Sequence, residues 1–101
     1  MTLTAAIRRM RVCRQTGETF GLLYARASAP YGLEKVEQAQ LRSTPVDADG
    51  DHPDRASRRR HRLTDAWLYY RDCDRCLPRQ CRKRLLLQVR FGDTWHPIEL
   101  N

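Results

Sequence analysis

The chain has 101 residues, 41% of them hydrophobic, enough for one modest core and too many for a disordered polymer. Its formal net charge of +7 points to a polyanionic partner. No apolar run approaches the ~20 residues that span a bilayer, so no membrane partner is expected.

Charge is laid out unevenly. Residues 55–90 hold twelve Arg/Lys against three acids, whereas residues 30–54 hold two against six. A basic half and an acidic insert result. Only Lys35 and Lys83 are lysines, a bias that a GC-rich genome alone would produce; such bias explains the choice of arginine better than its clustering. Met1–Ile7 precedes Arg8, Arg9 and Arg11, the reverse of a secretory signal's order. The acid-free first 17 residues loosely resemble an organelle presequence but also read as a strand, and a cytoplasmic protein is expected.

Residues 5–27 suggest a β-hairpin. Met10 and Val12 alternate with polar neighbours, Gln15–Glu18 supplies a turn with Gly17, and Phe20, Leu22 and Tyr24 alternate on the return. Residues 28–32 break the pattern, and Leu33, Val36 and Leu41 among Glu, Lys and Gln suggest a short amphipathic helix over 33–42, stopped by Ser43, Thr44 and Pro45. Residues 43–54 read as an exposed acidic loop. Asp47, Asp49 and Asp51 resemble the start of a calcium loop, but His52 and Arg58 stand where glycine and glutamate are needed, so calcium is excluded.

A second helix is expected over about 55–76, with Asp54 as N-cap and Leu63, Ala66, Trp67 and Tyr70 as its apolar stripe. Arg55, Arg58, Arg59 and Arg60 would crowd its N-terminal turns against the helix dipole. Either it starts near Leu63 or an anion offsets that cost. Arg84–Phe91 and Thr94–Leu100 flank Gly92–Asp93, a two-residue hairpin turn. The expected fold is α+β, a small single domain over residues 1–101 with an N-terminal β-hairpin, one or two helices and a C-terminal β-hairpin.

Cys73-x2-Cys76-x4-Cys81 has the spacing of thiolates that converge on zinc, with Cys13 or His96 as fourth ligand. Its first three positions are similar to a retroviral-type zinc knuckle. Cys81 replaces the knuckle's histidine, and Leu86 stands at its last ligand position. Reduced core cysteines, a CxxC redox pair and disulfides are the alternatives.

Arg55, Arg58, Arg59, Arg60 and Arg62 form one arginine-rich stretch and Arg79, Arg82, Lys83 and Arg84 a second, both suited to phosphate; Tyr69 between them could stack on a base. No Gly-x-Ser-x-Gly, phosphate loop or His-Glu-x-x-His is present, so no enzyme is expected. Two functions follow from the sequence. One is a nucleic-acid-binding module for RNA or DNA, zinc-stabilised if the cysteines converge. The other is a non-enzymatic inhibitor or adaptor, of the kind encoded by phages or mobile elements, that binds a protein of a nucleic-acid-processing complex. The acidic loop favours the second, because a surface of both signs suits protein recognition.

Overall fold

The computed structural model describes residues 1–42 and 66–99. The expected acidic loop at 43–54 and the arginine stretch at 55–62 lie outside the described residues. One helix, α1 (Leu3–Thr16), is followed by strands β1 (Phe20–Ala25), β2 (Leu33–Leu41), β3 (Trp67–Asp72), β4 (Leu77–Arg82), β5 (Leu86–Phe91) and β6 (Thr94–Pro97). A single 3₁₀ turn, Lys83–Leu85, joins β4 to β5. The strands form one antiparallel sheet in the order β4-β3-β2-β1-β5-β6. The coarse mixture of helix and sheet is as expected, with sheet predominating.

The N-terminal hairpin is not formed, because its first arm is α1. Thr2 caps it, its hydroxyl accepting from the Ala5 amide at 3.2 Å, and Gly17 ends it in the left-handed conformation at φ 79°. Leu3, Ala6, Ile7, Met10 and Cys13 recur at helical spacing and face the core. Val12, which a strand would place beside Met10, is 52% exposed, as a helix requires.

The two expected later helices are also corrected where they are described. Residues 33–41 are β2. Glu34 and Val36 face inward, then a bulge resets the alternation so that Ala39 and Leu41 follow. That reset places apolar residues three apart, which imitates a helical period. Residues 67–72 are β3, and 73–76 are the turn to β4. Leu68, Tyr70 and Asp72 are buried, whereas Trp67, Tyr69 and Arg71 point the other way. The aromatic, β-prone run WLYY prevails over the four-residue coincidence that suggested a helix. At the C-terminal end, β5 and β6 pair across Gly92–Asp93, with Gly92 at φ 61°.

The core lies between α1 and the inner face of the sheet, where Met10 meets a cluster including Phe20, Leu22, Leu68, Val89 and Phe91. Register puts Tyr24 opposite Glu34 and Tyr70 opposite Leu41, seven residues apart along β2, yet their hydroxyls are 2.8 Å apart. A straight strand would separate those levels by roughly 20 Å. The bulged β2 therefore bends and folds the β3–β4 hairpin toward β1, making one sheet face concave and the other convex.

Helical placement predicts unequal losses. Met10→Ala should cost about 2–5 kcal/mol and Val12→Ala under about 0.5 kcal/mol, read from urea unfolding. Equal losses would fit the hairpin register instead.

Candidate nucleic-acid interface

The bend brings two carboxylates into the concave side. Glu34 and Asp72 are 7% and 3% exposed, so each needs a counter-charge. Arg79 Nη1 donates to Glu34 Oε1 at 3.0 Å and stands 3.5 Å from Asp72 Oδ2. Arg75 Nη1 reaches the same Glu34 oxygen at 3.3 Å, and Arg26 Nε donates to Oε2 at 3.0 Å. Asp72 Oδ1 also accepts the Asp74 and Arg75 amides, both at 3.1 Å, and so shapes the β3–β4 turn.

Burial alone would raise the Glu34 carboxyl; hydrogen bonds from Arg26 and Arg79, with their charges, outweigh it and hold the group below the usual carboxylate range. Beside this cluster, burial pushes both the Tyr24 and Tyr70 phenols up, so they share their hydrogen bond as neutral groups.

Arg79 is thus half-buried and ion-paired with Glu34 and Asp72. Arg82 lies on the convex face, its guanidinium carbon 4.5 Å from the centre of the Trp67 ring. Tyr69 is two residues along β3 on the same face, opposite Gln80. Lys83 and Arg84 belong to the 3₁₀ turn. Arg55, Arg58, Arg59, Arg60 and Arg62 lie outside the described residues.

The cysteines expected as zinc ligands lie on α1, on β4 and in the β3–β4 turn. Cys13 is buried on α1, and Cys81 is buried on β4 opposite Leu68. Cys73 is half-buried and Cys76 exposed in the β3–β4 turn, where the Cys76 thiol donates to the Cys73 carbonyl at 3.5 Å. His96 packs near Phe91, ring centres 6.1 Å apart. Among the described residues no three His, Cys, Asp or Glu side chains gather as a metal site. Alternation on β3 and β4 sends Cys81 inward, while the other two sulfurs stay in the turn. Burial pushes the Cys81 thiol up to about 12.

A second aromatic–cation group on the convex face was missed from sequence. Gly21, Arg90 and Trp95 are in register across β1, β5 and β6, and Lys35 of β2 faces them. Lys35 Nζ is 5.3 Å from the centre of the Trp95 ring. Gly21 makes room, since a Cβ there would stand 3.0 Å from both Trp95 Cη2 and Arg90 Nε. An Arg90 Nη2 hydrogen bond to the Glu37 carbonyl anchors the guanidinium, while its Nε is buried without a hydrogen-bond partner. The signal was available: a two-residue turn at Gly92–Asp93 makes Arg90 and Trp95 cross-strand partners.

No protein-family model matches the chain, nor does any curated protein or solved structure.

Two outcomes follow. A depressed carboxyl contributes stability that is complete above its ordinary value near 4.5 and is lost as pH falls through its lower folded value. Glu34→Gln should therefore destabilise at neutral pH, and its deficit should shrink below about pH 4.5 in unfolding curves; a deficit constant with pH would contradict the ion cluster. Alkylation of the folded protein at mildly basic pH should label Cys76 first and spare Cys81 until unfolding, as peptide mass mapping would show.

Proposed function

We propose that this protein is a small, non-enzymatic nucleic-acid-binding module that grips the phosphate backbone with the convex face of its sheet. The carrying observation is that the aromatics and cations of that face occur together, Arg82 on Trp67 and Lys35 on Trp95. Charge supports it. The described residues hold fourteen Lys/Arg against seven Asp/Glu, and two of those seven, Glu34 and Asp72, are buried with arginines. Residues 43–65 hold five arginines and five aspartates, so the net charge of +7 belongs to the rest of the chain. Arg8, Arg9, Arg11 and Arg14 on the exposed side of α1 add to the positive field.

Phosphate contacts of this kind supply affinity and position, with no choice of sequence. The reading does not require zinc. Its rival is an inhibitor or adaptor bound to a protein of a nucleic-acid-processing complex, which would use charge for steering while ignoring free nucleic acid.

Fluorescence anisotropy with labelled oligonucleotides across a salt series separates the two. Affinity should fall with salt at a logarithmic slope of roughly −0.7 to −0.9 per phosphate contacted. The double substitution Arg71→Ala, Arg82→Ala should weaken binding and reduce the steepness of that slope by roughly 1.4 to 1.8. Absence of binding at low salt would overturn the proposal, and one stoichiometric protein partner surviving a high-salt wash would favour the inhibitor or adaptor.

A further inference from the structure

We infer that Trp95 is a stacking platform for an unpaired base, so that the preferred ligand is single-stranded nucleic acid rather than duplex. This rests on the reading of the convex face as a nucleic-acid surface and specifies what that face selects.

Three observations meet at this residue. First, the indole lies against the sheet where Gly21 leaves space, with Cη2 within 3.0 Å of where a Cβ would be. The glycine orders the ring before any ligand arrives, which lowers the conformational entropy lost on binding. Second, β6 is the edge strand of the sheet, so no strand follows Trp95 on that side among the described residues. Trp95 is half-buried. Third, Lys35 stands 5.3 Å from the ring centre, at the distance of a cation attracted to a π face. Its partner Glu37, 3.3 Å away, is exposed, so that ion pair is solvent-screened and weak.

A nucleotide offers each of the two groups a further partner. An unstacked base has a π face for the indole, and its phosphate has a charge for the displaced Lys35 ammonium. A duplex offers only the phosphate, because its bases are stacked on one another. The same pairing recurs where Arg82 covers Trp67, providing a second cation–aromatic step on the same sheet face. If Trp95 merely covered the sheet at Gly21, its loss would lower stability without changing which polyanion binds. Stability and selectivity are thus separable readouts.

The chain has two tryptophans, so Trp67→Phe leaves Trp95 as the sole indole fluorophore. This variant is titrated at low salt with a short oligothymidylate, a duplex of equal length, and a heparin fragment of similar charge. Only the single strand should quench Trp95 emission, and it should bind more tightly than the duplex. Trp95→Leu, confirmed as folded by thermal unfolding, should lose roughly 5- to 150-fold in affinity for the oligothymidylate and keep its affinity for heparin. Equal quenching by heparin would overturn the inference, as would a silent Trp95 or an equal loss for all three ligands, while leaving the proposed phosphate grip intact. Failure of both nucleic acids to bind the unsubstituted protein would remove the proposed function itself. Should Trp95→Leu not fold, the quenching contrast in Trp67→Phe decides the matter without it.

Discussion

Arg79 bridges two carboxylates carried by different strands, and the shape of the molecule depends on that bridge. Glu34 belongs to β2 near its pairing with β1, whereas Asp72 closes β3. Buried carboxylates without a partner would cost several kcal/mol each. Meeting one guanidinium at 3.0 and 3.5 Å, they tie the bent β2 to the β3–β4 hairpin folded inward. The Tyr24–Tyr70 hydrogen bond satisfies the two remaining buried hydroxyls at that junction. Hydrophobic contacts stabilise the core; these polar contacts restrict which bend is acceptable.

The bend divides the cations by role. Arg26, Arg75 and Arg79 neutralise buried acids, whereas Arg71, Arg82, Arg90 and Lys35 stand on the convex side. A count of positive charge in the sequence treats all seven alike. Sorting them matters because the convex cations share their face with Trp67, Tyr69 and Trp95, while the concave ones are ion-paired with Glu34 and Asp72. Aromatic rings beside cations can engage both parts of a nucleotide, which a cation cluster alone cannot.

The local sequence carried parts of this arrangement. A predominance of basic residues and the Gly92–Asp93 turn were legible because each depends on residues near one another in the chain. Gly17 marks a change of chain direction in the sequence, but the fold uses it to end a helix rather than to turn a hairpin. The helix itself was also legible in the stripe Leu3, Ala6, Ile7, Met10, Cys13; the two-residue alternation of Met10 and Val12 was a weaker signal and misled. In β2, helix-forming Glu, Lys and Gln side chains concealed a strand paired on both sides. The zinc spacing was similarly ambiguous, since three cysteines at ligand spacing converge only if the backbone between them turns, and here part of it runs as a strand.

Composition and chain-local pattern thus determined a basic protein with a modest core, an acid-rich segment and turns at particular glycines. Tertiary structure alone decided that residues 33–41 and 67–72 are strands, that Arg79 pairs with Glu34 and Asp72, and that Trp95 shares a surface with Gly21, Arg90 and Lys35. The physical reason is range. Turn and cap preferences act over a few residues, whereas strand pairing, buried charge neutralisation and a shared sheet face join positions tens of residues apart, and their free energy exists only once the chain has brought them together.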